Sequence, residues 1–248
     1  MVENAPVPKM LRVWLAGAIL AVGVLFFFVV YQSARMAELS DLRAMDLAQV
    51  ARNLATGQGF TTDLIRPLTL ALAPSIQNHP DLVHAPLQPL FMSLLFRLFG
   101  PSNQSISWSS GIPFLLTIPL VFWLGRTAFS RKVGMLSAIV LGTNVVALTV
   151  GVSGTEGALL GLLFTLLCVV LVVHQSRSPL RPPLAAVAGV LTGLLYLTHF
   201  TWLMAFAPVL LVLVLNASAR QRMPNVILFT AAFVVVLLPW FYRTYQVT

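Results

Sequence analysis

The sequence predicts an all-α polytopic membrane protein with about seven transmembrane helices plus amphipathic helices in a long first outer loop. Three observations carry that expectation. Hydrophobic residues make up 58% of the chain and charged residues only 9%, where soluble domains average about a quarter. Apolar runs of membrane-crossing length recur along the chain. The formal net charge of +8 comes from basic residues clustered between those runs, a pattern that speaks of topology and not of a nucleic-acid surface.

The elements follow in order. Lys9 and Arg12 precede the first span, residues 13–31. It is longer than the apolar region of a signal peptide, and YQSARMAEL is a poor cleavage site, so it reads as a retained anchor. Further spans are expected at 106–124, 133–150, 157–173, 184–200, 202–215 and 226–239. This threading places Arg126, Arg131, Lys132, Arg177, Arg181, Arg220 and Arg222 on the side of Lys9 and Arg12, as the excess of basic residues in cytoplasmic loops requires. Residues 184–215 are too long and apolar for one crossing, so a break is placed near His199.

Residues 32–105 then form one outer loop, residues 240–248 an outer tail, and residues 1–248 a single membrane module. In the loop, Ser40 or Asp41 caps a helix that ends at Gly57, with Leu42, Met45, Val50 and Leu54 on its apolar stripe; this helix is expected to lie flat on the membrane. Leu87 to Phe99 forms a second, interfacial helix stopped by Gly100 and Pro101. The lone Cys168 lies in an apolar run with no disulfide or zinc spacing and reads as packing.

The residues that can carry chemistry concentrate in the loop. Asp41 and Asp46 lie about 140° apart on a helix and cannot simply share a site. If Asp41 caps, Asp46 is left among apolar neighbours as a general base, a divalent-cation ligand or a solvated face residue. Glu156, at the start of the fourth span, is either a functional acid or a first-turn residue favoured by the helix dipole. His79 and His84, near Asp63 and Asp81, match no zinc signature. His199 contacts a lipid phosphate or reaches for the interface. Arg43, Arg52, Arg66, Arg97 and Arg243 fall on the outer side, where guanidinium groups suit phosphate or pair with acids. The glycines of GQGF end a helix and do not form a nucleotide loop.

The succession MDLAQVARNLATGQGF, IRPL, HPDLVHAPLQPLFMSLLFRLFG, LGRTAFSRKVGMLSAIVLG and GTEGALLGLLF resembles the N-terminal module of GT-C superfamily glycosyltransferases, with the closest similarity to bacterial members related to protein O-mannosyltransferases and the lipid A aminoarabinose transferase. The resemblance implies a polyprenyl-phosphate-linked sugar donor, membrane lipids as surroundings and an acceptor on the outer face. It also implies a bacterial cytoplasmic membrane, with the N-terminus cytoplasmic and the active face periplasmic or extracellular. By the same resemblance Asp46 is the catalytic acid of the first outer loop, although Met45, Asp46 and Leu47 stand where relatives often carry an Asp-Glu pair and a tyrosine. Asp41 is second in line, Glu156 joins the site from the bundle, and Arg43, Arg52, Arg66, His84 and His199 bind substrate. Asp46 and Glu156 are the candidates for holding a divalent cation.

Family members usually continue for several more helices, so the end at LLPWFYRTYQVT leads one to expect a continuation or a partner polypeptide. The reading from a different class is a non-catalytic protein that binds or moves a polyprenyl lipid. A conventional transporter fits less well, because the spans hold almost no charge and show no paired broken helices.

Overall fold

A computed structural model describes residues 22–34, 41–73, 76–176 and 182–247. Lys9, Arg12, Ser40, Arg177, Arg181 and much of the expected first span lie outside the described residues. The described residues form helices, with one isolated antiparallel bridge between Thr61 and Pro80.

In chain order the helices are α1 (Val22–Ala34), α2 (Leu42–Ala55), α3 (Pro67–Leu72), α4 (Leu87–Phe99), α5 (Asn103–Ala128), α6 (Arg131–Thr143), α7 (Val145–Val152), α8 (Gly157–Ser176), α9 (Pro182–Thr198), a 3-10 turn (Phe200–Ala205), α10 (Phe206–Leu215) and α11 (Ala219–Val247). Of these, α5, α8 and α11 are long and apolar enough to cross a membrane. The pair α6 and α7 makes a fourth candidate, bent by 60°. The bend falls at Asn144, whose extended backbone breaks the helix and whose side chain accepts from Ala147 N–H to start the next one.

The remaining apolar helices, α1, α4, α9 and the pair of the 3-10 turn with α10, are shorter as described. The expected break near His199 is present: α9 stops at Thr198, and His199 adopts extended backbone and caps the 3-10 turn. Beyond Pro239 the chain continues as helix through Val247, so Arg243 stands on α11.

Among the described residues the bundle packs in two larger apolar clusters, with a smaller one of Leu197, Phe233 and Leu237 beside them. One gathers Leu163, Leu167, Ala188, Leu195, Leu213 and Phe229 from α8 to α11; the other joins Phe28, Phe114, Ile118, Leu148 and Ala158. Close approach depends on small residues. A Cβ on Gly189 would strike the Phe229 carbonyl of α11, and one on Gly134 would strike the Phe122 carbonyl of α5.

Against one end of this bundle lies the 41–101 segment. Asp41 caps α2 as expected, its Oδ1 accepting from Arg43 N–H at 2.9 Å, and α4 has the expected bounds, closed by Gly100 at φ 81°. The buried face of α2 differs from the expected stripe. Of that stripe Val50 is fully buried, but Leu42 and Met45 are 79% and 55% exposed, whereas Ala44, Leu47, Ala48 and Ala51 are buried, and the last three pack on Met92 and Phe96 of α4. The physical reason is size: Ala48 and Ala51, three residues apart on one face, let α2 and α4 approach closely, which ranking by hydrophobicity overlooks.

Candidate functional site

The turn Ser153–Glu156 presents the first acidic group. Gly154 sits at φ +78°, and its N–H donates to Ser110 Oγ of α5 at 2.9 Å. Ser153 Oγ accepts from Thr155 N–H at 3.2 Å, and the Glu156 carbonyl accepts from Leu160 N–H at the start of α8. Gln88 of α4, fully buried, donates to Ser109 Oγ and to the Gly154 carbonyl, tying the loop helix to this turn. The Glu156 carboxylate, buried, reaches across to α2. Arg43 engages both of its oxygens, Nε to Oε2 at 3.2 Å and Nη2 to Oε1 at 2.5 Å. This side-on fork is the strong form of a guanidinium–carboxylate pair, and the Arg43 side chain stays 52% exposed.

A second anchor comes from HPDLVHAP. The chain at 60–62 runs antiparallel to 79–81, with Thr62 N–H on the His79 carbonyl and Asp81 N–H on the Phe60 carbonyl. Asp81, 1% exposed, then makes an Asx turn: Oδ1 accepts from Val83 N–H at 2.8 Å and His84 N–H at 3.3 Å, and Oδ2 lies 2.6 Å from His84 Nδ1. Burial pushes the Asp81 carboxyl up. The hydrogen bond and charge of His84, with the two backbone N–H groups, outweigh that and leave it below the ordinary aspartate value. Arg243 fastens the turn to α11, donating to the Asp81 and Phe60 carbonyls at 2.9 and 2.7 Å while its guanidinium lies against the Phe60 and Trp240 rings.

Between these anchors opens a cleft of about 120 Å³ lined by Arg43, Leu47, His84, Glu156 and the 198–201 corner with His199. His199 Nδ1 is engaged by Thr201, 2.7 Å from its hydroxyl. Thr201 also lines a larger apolar groove of about 520 Å³ between α8 and the 3-10/α10 segment, walled by Phe164, Cys168, Trp202, Met204 and Val209. A polar cleft and an apolar groove thus meet at one residue.

Four of the residues singled out from the sequence, Arg43, His84, Glu156 and His199, come together in the cleft. Asp46 does not line it, although Arg43 and Leu47 on the same helix do. Asp46 shares a face of α2 with Gln49 and Asn53; these two bind the 61–63 strap, which delivers Arg66 Nη2 to Asp46 Oδ2 at 2.6 Å. Asp41 is taken up by its cap, and Arg52 is exposed on α2 away from the cleft. His79 is buried on Thr69, 2.8 Å away, and Asp63 meets Asn53. Arg97 donates to the Leu54 carbonyl at the end of α2.

No group of three or more His, Cys, Asp or Glu side chains placed to hold a metal occurs among the described residues, and Asp46 and Glu156 each face a different arginine. Sequence reasoning named Asp81 and Arg243 but not the pairing of Asp81 with His84 or the hold of Arg243 on the Asp81 turn. The signal for Asp81 was present in the i, i+3 pairing of an aspartate with a histidine after a proline.

Residues 83–242 match a family model described as dolichyl-phosphate-mannose-protein mannosyltransferase. No curated protein and no solved structure matches the chain.

Proposed function

This chain belongs to the dolichyl-phosphate-mannose-protein mannosyltransferase family, a glycosyltransferase module of the GT-C type, and from that premise we propose that it moves a sugar from a polyprenyl-phosphate-linked donor to an acceptor on the outer face of the membrane. The observation that carries the reading is the shared wall at Thr201, which lines both a cleft holding Arg43, Glu156, His84 and His199 and an apolar groove. A lipid-linked phosphate has just those two parts, an anionic head and a hydrocarbon tail.

In this reading the lipid chain lies in the α8/α10 groove and the phosphate meets Arg43. Because Glu156 holds two of the Arg43 nitrogens, the guanidinium is fixed before substrate arrives, which spares reorganisation during transfer. The acceptor hydroxyl attacks the anomeric carbon, a carboxylate takes its proton, and the bond from that carbon to the phosphate oxygen breaks. Asp46 is the proposed proton acceptor. Arg66 engages only its Oδ2, and the side chain is 30% exposed, so Oδ1 is open to an incoming hydroxyl. Asp41 is the less apt choice, since its Oδ1 serves the α2 cap. Arg66, already paired with Asp46, borders the approach along α2, whereas Arg52 stands away from it.

The setting in this proposal is a bacterial cytoplasmic membrane, with residues 32–105 on the periplasmic or extracellular side. A further polypeptide segment supplies any part of the acceptor site that the cleft lacks.

The test is transfer from polyprenyl-phosphate mannose by the purified chain in lipid vesicles. Asp46→Asn is expected to lose transfer while inserting normally; full activity in that variant would sink the assignment of Asp46. Saturable donor binding without transfer in the parent chain would favour the non-catalytic, lipid-binding role.

A further inference from the structure

We propose that His84 is the proton donor to the departing phosphate and that Asp81 is the residue that positions it. The inference rests on the reading of the cleft as the phosphate site, and it names the acid that complements the base.

The two ring nitrogens of His84 have separate roles. Nδ1 lies 2.6 Å from Asp81 Oδ2, and an ionised carboxylate can only accept there, so Nδ1 carries a proton. The second Asp81 oxygen is occupied by the Val83 and His84 backbone N–H groups, so the carboxylate cannot swing away. Behind it, Arg243 holds the Asp81 carbonyl against α11. His84 is only 9% exposed, and its ring lines the cleft, so Nε2 is the polar atom left to meet a ligand. An imidazolium in this seat presents one N–H to Asp81 and the other to the cleft.

The other histidines beside the loop are placed differently. His79 binds Thr69 through Nε2 in a buried position, and His199 is engaged by a threonine at Nδ1. Among the described salt bridges, His84 alone of the histidines has a carboxylate at its back. The charged groups around it are accounted for. Across the cleft Arg43 is matched by Glu156, His199 stands at the 198–201 corner, and Arg243 approaches the far side of Asp81. No carboxylate without a partner faces Nε2 among the cleft residues.

The step balances as follows. As the acceptor oxygen bonds to the anomeric carbon, the bond from that carbon to the bridging phosphate oxygen breaks, and its electron pair goes to that oxygen. His84 Nε2–H delivers its proton there, giving a lipid monophosphate that bears one proton. The acceptor proton goes to Asp46. His84 is left neutral, with its Nδ1 proton still on the Asp81 side; Asp46 releases its proton to solvent and His84 takes one up from solvent, which resets both.

The experiment uses the full chain with ¹⁵N-labelled histidine in a phosphorus-free maltoside detergent, with polyprenyl phosphate added as probe. His84 signals are assigned by their loss in His84→Gln. Solid-state dephasing by phosphorus should strike His84 Nε2 and spare Nδ1, and Asp81→Asn should move the neutral ring's proton from Nδ1 to Nε2 and lower kcat with little change in KM, a loss that a purely structural contact would not give. In transfer from polyprenyl-phosphate mannose, His84→Gln should lower kcat about 10²-fold with little change in KM. If polyprenyl phosphate binds saturably, and Arg43→Ala weakens that binding, yet Nε2 is not dephased, the role of His84 is overturned while the cleft keeps its function. If polyprenyl phosphate does not bind saturably at all, both readings fall.

Discussion

The bundle and the 41–101 segment are held together by different balances of apolar and polar contact. In the bundle, helices meet through apolar clusters and through glycines such as Gly134 and Gly189 that bring backbone onto backbone. The segment leans on directed polar contacts: Arg43 on Glu156, Arg66 on Asp46, Arg243 on two carbonyls, and Gln88 on the Gly154 carbonyl. The difference teaches where chemistry can reside. The bundle's contribution to the cleft comes from helix ends, Glu156 before α8 and His199 after α9. The segment carries charges in fixed geometry at that same end, and a site assembles where the two meet.

Changes that respect or violate this division sort by size. Arg43→Ala removes the guanidinium of the cleft and leaves the buried Glu156 carboxylate unpaired, so sugar transfer per folded protein is expected to fall by about 10² to 10³ and the melting temperature to fall with it. An unchanged rate would place catalysis outside the cleft. Gly189→Leu attacks the bundle instead. Its side chain meets the Phe229 carbonyl, so a loss of about 1–3 kcal/mol or more in thermal unfolding is expected, with activity falling only as folded protein is lost.

Asp41→Ala should cost about 1 kcal/mol, read as faster hydrogen exchange at the start of α2 with the bundle unaffected. Leu42→Ser, on the exposed stripe of α2, should change stability by less than about 0.5 kcal/mol. A large effect there would mean that the stripe is covered in the membrane.

Acid should separate the two regions without any mutation. Because the folded Asp81 carboxyl titrates below its ordinary value, the stability it lends is complete above that value and is lost as pH falls through the lower folded one. Protease cleavage between α3 and α4 should therefore increase in that acidic window, while cleavage within the bundle should not.

The sequence made some of this legible and hid the rest for physical reasons. The bounds of α4 follow from Gly100 and the prolines before it, the Asp41 cap from side-chain chemistry, and the break at His199 from the length of the apolar run. Those features are local. The buried face of α2 was read only in part: Val50 is buried as its spacing implies, but Ala44, Ala48 and Ala51 carry much of the packing, while hydrophobicity points to Leu42 and Met45. The bend at Asn144 was passed over because residues on both sides are equally apolar.

Within the site, residue types announced Glu156, Arg43, His84 and His199, and the fold joins them. The pairing of Asp46 with Arg66 was not readable, since it depends on how the 58–63 strap returns along α2. The hold of Arg243 on the Asp81 turn was likewise hidden, because 162 residues separate Arg243 from Asp81.

The central claim is that the lipid-linked phosphate binds where these two regions meet. A polyprenyl phosphate carrying a photoreactive group beside its phosphate, irradiated with the full chain in vesicles and mapped by mass spectrometry, tests it directly. The account predicts crosslinks at 43–47, 83–85, 156 and 198–201 that unlabelled polyprenyl phosphate suppresses. Suppressible crosslinks confined to the opposite end of the bundle, around 130–132 or 217–222, would contradict it.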